Sequence, residues 1–261
     1  ILTVGTTDLE EKEETDKYSI SLHPGLIRLI ELISNQNKNV ILVVYSGGPL
    51  DLKDIEPLVK AIVYVPVLGE GVNDGLAKIL AGKVSPSGKL SETFPLSLLD
   101  TPSGLELGNG FVEDYKEKNL VGYRYYDALK KDVLYPFGYG LSYATFDYKE
   151  MKITKNEDSV SIEVRIRNNS DIEAKEIVQV YVSNNRRAVL VPENELVSFK
   201  KILFKPKEEK VINFVVPMDK FKYYSTNIDD FYLESGYYEI GICSSSRDIR
   251  LKDKIFIQGD D

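Results

Sequence analysis

Residues 121–127 read Val-Gly-Tyr-Arg-Tyr-Tyr-Asp, and residues 134–146 read Leu-Tyr-Pro-Phe-Gly-Tyr-Gly-Leu-Ser-Tyr-Ala-Thr-Phe. Rings and glycines alternate here too regularly for an ordinary loop. The glycines permit backbone turns that other residues resist, and the aromatic rings between them supply large packing area. The segment therefore reads as a junction that welds two domains, and the hydrophobic period changes across it.

Upstream, over residues 1–95, short apolar runs alternate with helical patterns, as in an α/β layer with a mainly parallel sheet. Strands are expected over Ile1 to Val4, Val40 to Tyr45 and Ala61 to Val67. Pro24 can open a sheet-covering helix whose residues Leu26, Ile27, Ile30 and Ile33 recur at helical spacing. A second helix is expected from about Val72 to Leu80, stopping at Gly82, and a third over Asp51 to Lys60, weakened by Pro57. Residues 96–145 carry no lasting period and read as an interdomain connection with loop functions. From 146 to 261 the period is two: Val160, Ile162, Val164 and Ile166 alternate with polar residues, as do Val178, Val180 and Val182, then Tyr238, Ile240 and Ile242. With turn material between them, these strands predict an antiparallel, fibronectin-III-like or immunoglobulin-like sandwich.

The chain has 261 residues, of which 43% are hydrophobic, enough to fill two cores. A single cysteine, Cys243, excludes an internal disulfide. That suits a reducing compartment and leans toward the cytoplasm, though localisation stays open. The net charge of -8 argues against non-specific binding to nucleic acid or to an anionic membrane surface and leaves neutral ligands such as sugars. No apolar run reaches the roughly 20 residues of a membrane span, and the start lacks a signal-peptide layout. The chain reads as soluble, with its oligomeric state undetermined. Ile1-Leu-Thr-Val-Gly looks like a strand already under way, so a preceding segment is expected.

The 121–146 segment, Ser46-Gly-Gly-Pro49, and Pro-Ser-Gly-Lys-Leu-Ser-Glu-Thr-Phe-Pro over 86–95 occur in an order that resembles the C-terminal portion of family 3 glycoside hydrolases, the β-glucosidase and β-xylosidase group. The resemblance covers nearly the whole chain. It implies an α/β sandwich piece followed by a fibronectin-III-like domain, with a (β/α)8 barrel absent from this chain, whether removed, disordered, on another polypeptide or, with the domain order reversed, partly beyond Asp261. It also implies a retaining β-glycosidase, β-glucosidase by default, that cuts β-linked oligosaccharides or β-glycosides at the non-reducing end. That chemistry needs no metal or organic cofactor.

Charge pattern points to the acidic loop after the first strand: Asp8, Glu10, Glu11, Glu13, Glu14 and Asp16, interrupted by Lys12 and Lys17. Crowded carboxylates raise the pKa of at least one member, and a carboxyl kept protonated near neutrality can protonate a leaving sugar oxygen. Without further information such a run reads as a solvated loop face. In the family the acid/base glutamate stands in a frame of Glu, two residues, Asp, then Arg. Glu13-Glu-Thr-Asp16-Lys17 fits that frame with Lys for Arg, so the resemblance makes Glu13 the general acid/base and Glu14 the second choice. A retaining enzyme needs a second carboxyl about 5–5.5 Å away. The family places that nucleophile on the barrel, so no residue here is assigned to it, and the chain is expected to be incomplete for catalysis.

The remaining candidates have structural readings. Ser46-Gly-Gly-Pro49 could cradle a phosphate but carries no Walker lysine, and framework is the better reading. Gly69-Glu-Gly-Val-Asn-Asp74 reads as helix capping. His23, the single histidine, and Cys243 form no His/Cys metal site and read as structural. Tyr123 to Asp127 could stack on sugars, with interdomain packing the stronger reading. The rival to the enzyme is a non-catalytic module that binds carbohydrate or protein, for which the frame around Glu13 has no evident use.

Overall fold

The apolar runs expected as strands do pair as a parallel sheet in a computed structural model of the chain, which describes residues 1–12, 17–104, 112, 115–183 and 192–260. Strands β1 (Leu2–Gly5), β2 (Ile41–Tyr45) and β3 (Ala61–Val65) lie in that order, with Leu2 beside Leu42 and Ile41 beside Ala61. Helix α1 (Pro24–Gln36) has Pro in its first turn and is capped by His23, whose Nδ1 accepts from the Gly25 N–H at 3.1 Å. The histidine is therefore a structural cap. Ile30 is fully buried, whereas Leu29 and Leu32 on the other face are exposed, as the helical spacing requires.

The expectation of a helix over Asp51 to Lys60 is corrected: only one 3-10 turn forms, Glu56–Leu58, with Pro57 inside it. Upstream, Asp51 bridges Ser21 and its N–H donates to the Ile20 carbonyl at 2.8 Å. Leu50, Leu52 and Ile55 are all buried, at a spacing no single helix face provides. Pairing with the chain segment leading into α1 thus overrides the local helical pattern. Helix α2 (Val72–Leu80) forms as expected. Two further strands, β4 (Phe94–Pro95) and β5 (Val133–Tyr135), pair antiparallel, and the fully buried Phe94 ring packs edge-on against Tyr64 and tilted against Tyr135.

Two compact units divide the chain: residues 1–75, 92–118 and 131–135 form the first, and 76–91, 119–130 and 136–261 the second. The second is built on the period-two strands. One sheet has the order β10-β7-β6, with β6 Phe146–Lys155, β7 Ser159–Asn168 and β10 Glu209–Pro217. The other has the order β14-β13-β8-β9, with β8 Ala174–Ser183, β9 Glu195–Phe204, β13 Gly236–Ser245 and β14 Asp248–Ile257. All neighbours in both sheets are antiparallel. A short hairpin, β11 (Tyr223–Ser225) with β12 (Asp230–Tyr232), precedes β13. The sandwich core holds Val160, Ile162, Val164 and Ile166 of β7, Val178, Val180 and Val182 of β8, and Tyr238, Ile240 and Ile242 of β13. These are the residues the alternation nominated.

Strand β8 is buried on its other face too. Gln179, Tyr181 and Ser183 are nearly inaccessible. Tyr181 meets the Tyr123 ring edge-on at 6.0 Å, and Tyr123 stacks on Phe137 at 4.6 Å, with Cys243 and Leu196 completing the cluster. Tyr123 lies on a short helix, α3 (Tyr123–Ala128), too brief to show a period in sequence. Gln179 Nε2 donates to the carbonyls of Gly138 and Ser244, and Tyr181 Oη donates to Gln179 Oε1. A side chain on Gly138, whose φ is 78°, would place its Cβ 2.3 Å from Gln179 Oε1.

The Pro-Ser-Gly-Lys-Leu stretch is strapped to the aromatic segment inside this unit. The Leu90 N–H donates to the Tyr139 carbonyl and the Gly138 N–H to the Leu90 carbonyl, both at 2.8 Å, while Ser85 and Ser142 hydroxyls meet at 2.8 Å. Lys89 Nζ donates to the Gly140 carbonyl at 2.8 Å and lies 3.6 Å from Glu176 Oε1. Glu176 is buried on β8, and the Tyr148 hydroxyl donates to it at 3.0 Å. Burial pushes its carboxyl up from the ordinary value, while Lys89, the Tyr148 hydroxyl and Arg250 pull it back.

Lys89→Met should destabilise the protein by about 3–5 kcal/mol in urea unfolding, because it leaves Glu176 buried without its cation. Adding Glu176→Gln should recover most of that loss. A raised carboxyl costs stability above its folded pKa and regains it on protonation. The Lys89→Met deficit should therefore shrink as pH is lowered from neutral toward the ordinary carboxylate range.

Candidate functional site

The acidic loop leaves β1 beside the end of β2. The Thr6 N–H still donates to the Tyr45 carbonyl at 3.0 Å, and the chain then closes on itself. The N–H groups of Glu10 and Glu11 both reach the Thr7 carbonyl, and Glu10 Oε2 accepts from the Thr7 N–H at 2.9 Å and from its hydroxyl at 3.0 Å. This turn spends Glu10 locally and aims Glu11 at the Ser-Gly-Gly stretch.

The Gly47 N–H donates to Glu11 Oε2 at 2.8 Å and to Oε1 at 3.0 Å. Ser46 Oγ stands 3.1 Å from Glu11 Oε1 and 2.8 Å from the Gly48 carbonyl, so its single proton serves one of them at a time. Lys17, from the far end of the loop, places Nζ 3.0 Å from Glu11 Oε1. Gly47 is required by the approach: a Cβ there would lie 2.5 Å from Glu11 Oε2. The Tyr64 hydroxyl fixes the cradle from behind by donating to the Ser46 carbonyl at 3.0 Å.

Partial burial pushes the Glu11 carboxyl up, but hydrogen bonds from Lys17, Thr6, Gly47 and Ser46 outweigh it and hold the group below its ordinary value. Its contribution to stability is complete above the ordinary carboxylate range and is lost as pH falls through the lowered value. Among the described loop acids, Glu11 thus moves opposite to the direction expected from crowding, and an ionised carboxylate held this way is a poor proton donor. Burial, then the fields of Glu92 and Glu11, push the Tyr64 hydroxyl up to about 12. Burial pushes the Glu92 carboxyl up and Lys17 pulls it back, so one ammonium faces two carboxylates.

Glu13, Glu14 and Asp16 lie outside the described residues, and no placement is given for them. The Ser46-Gly-Gly stretch is framework, but framework built around a carboxylate, a role that sequence reasoning missed. The legible signal was a glycine pair at a strand end facing an acidic run. Near the end of β3, Asn73 Oδ1 accepts from the Tyr45 hydroxyl at 3.1 Å. Tyr123, Tyr126 and Asp127 are buried within the second unit. Tyr123 Oη accepts from the Leu196 N–H at 2.9 Å, and Asp127 Oδ1 meets Arg247 Nε at 2.7 Å. Packing is what occupies them. Burial raises the Cys243 thiol to about 12, so it is inert. Among the described residues no cluster of three His, Cys, Asp or Glu side chains could hold a metal ion.

Residues 1–143 match the family profile described as Glycosyl hydrolase family 3 C-terminal domain, and residues 176–246 match a Fibronectin type III-like domain. Thermostable beta-glucosidase B of Acetivibrio thermocellus is 38% identical over 98% of this chain and 34% of its own length. An exo-alpha-(1->6)-L-arabinopyranosidase of Bifidobacterium breve is 35% identical over 100% of this chain and 35% of its own length. In the solved structures, a family 3 beta-glucosidase of Bifidobacterium adolescentis superposes with a TM-score of 0.93 at 34% identity, over 99% of this chain and 39% of that one. The chain thus spans about a third of the length of these relatives. With more than half of its residues matched by the family profile, it belongs to glycosyl hydrolase family 3 as the family's C-terminal region.

Proposed function

We propose that this chain is the C-terminal portion of a retaining β-glycosidase and supplies its general acid/base, Glu13, with Glu14 as the second choice. The nucleophilic aspartate belongs to a barrel outside the chain. The observation that carries the reading is the frame Glu13-Glu-Thr-Asp16-Lys17 set in a loop whose described ends, Glu11 and Lys17, are tied together at the C-terminal end of a parallel sheet. Ligands of open α/β sheets are bound at that end. Glu11 is set aside as the acid because its oxygens are already taken up by the Gly47 N–H, Ser46 and Lys17.

On this reading residues 1–95 bring the acid/base to the reaction, residues 96–145 connect, and residues 146–261 support. Terminal β-glucosides are the default substrates. A beta-glucosidase and an arabinopyranosidase resemble this region almost equally, at 38% and 35% identity, which supports leaving the choice of sugar to the barrel.

In the protein that joins this chain to its barrel, Glu13→Ala should lower kcat on an aryl β-glucoside with a poor leaving group by about 10²–10⁴-fold. On a dinitrophenyl glucoside, whose departure needs no proton, the glycosylation step should be nearly unaffected. Unchanged turnover on the poor leaving group removes Glu13 and moves the test to Glu14→Ala. Absence of any turnover in the unmutated protein, on both the β-glucoside and the β-xyloside, would leave the binding-module reading in its place.

A further inference from the structure

Glu11 is held in a way that a solvated loop acid is not. Its side chain is only 19% exposed, and its two oxygens collect a backbone N–H, a serine hydroxyl and an ammonium. The acceptor is charged, so the contacts to Gly47 are of the stronger class. The lysine is the last residue of the acid/base frame, and its contact with Glu11, two residues before the frame begins, is 3.0 Å. The cradle lies directly after β2, whose residues Leu42, Val43 and Val44 are almost wholly buried, so Glu11 and Lys17 are fastened to a well-packed part of the first unit.

We propose that Glu11 is a positioning residue: by joining the Gly47 N–H and the Ser46 hydroxyl to Lys17, it fixes both ends of the loop that carries the general acid. The inference rests on the acid/base reading given above. An isolated exposed Glu–Lys pair would contribute little, about 0–1 kcal/mol of stability. The consequence here is geometric instead, since a displacement of about 1 Å at a reacting group can cost about 10²-fold in rate. Lys17 also pulls down the Glu92 carboxyl through its charge, so its replacement acts on more than Glu11.

The test uses the barrel-containing protein and a series of aryl β-glucosides of graded leaving-group ability, with Glu11→Ala, Gly47→Ala, Lys17→Met, Lys17→Arg and Glu13→Ala in parallel. Thermal unfolding selects the variants that fold. Glu11→Ala should lower kcat on the poor leaving groups by about 10²-fold with KM little changed, and the loss should fade as the leaving group improves. Gly47→Ala, which drives a Cβ into the Glu11 carboxylate, should reproduce this pattern. Lys17→Arg, which keeps the ion pair, should recover most of what Lys17→Met loses.

A loss from Glu11→Ala that is equal across the series, while that of Glu13→Ala is graded, overturns the positioning role and leaves the acid/base assignment standing. A graded loss from Glu11→Ala beside a flat response in Glu13→Ala supports the anchor and overturns the assignment of Glu13. Flat responses in both overturn both.

Discussion

A carboxylate in the interior of the sandwich sets the terms for the second unit. Glu176 occupies the same face of β8 as Val178, Val180 and Val182, where an unanswered charge could not persist. Its partners come from three separate stretches: Tyr148 from β6, Arg250 from β14, and Lys89 from the strap. Once Lys89 is committed, its neighbours follow. Leu90 pairs with Gly138 and Tyr139, Ser85 meets Ser142, and the Tyr143 hydroxyl reaches the Ile79 carbonyl. Two motifs some fifty residues apart in sequence are thereby held side by side, with a buried ion pair specifying which sandwich end they belong to.

The first unit solves a related problem on a smaller scale. A carboxylate at the end of a parallel sheet is satisfied by two donors from the turn after β2 and by one lysine. Glu176 and Glu11 differ in the sign of their shift. Burial dominates at Glu176 and the donors dominate at Glu11, so the first resists ionisation and the second invites it. The difference separates a carboxylate that keys a sandwich from one suited to anchoring a loop by its charge.

The parallel sheet and the sandwich were legible in the sequence because burial on a sheet leaves a pattern. Val160 through Ile166 alternate with polar residues, and the run at residues 40–45 is continuous because the central parallel strand is buried on both faces. Asp51 to Lys60 misled because the backbone of Asp51 pairs with Ile20 and Ser21, which no local window contains. The six residues of α3 are too few to show a period. Glu11 was visible only as one acid among several, since charge counting cannot tell a solvated carboxylate from one facing a glycine N–H. The pairing of Lys89 with Glu176 was hidden by distance along the chain. Glu13 itself was legible only through the family frame.

The double burial of β8 bears on how such a chain is inherited. A recombination event at residue 146, where the sandwich strands begin, would pass on a β-sandwich with Tyr181, Cys243 and Gln179 stripped of Tyr123, Phe137 and the Gly138 carbonyl. Such a hybrid starts with an apolar wound and an amide without its partner. The strap, the aromatic segment and the sandwich therefore form one heritable cassette, which a join that brings in an unrelated upstream segment should leave intact only if it falls before the strap.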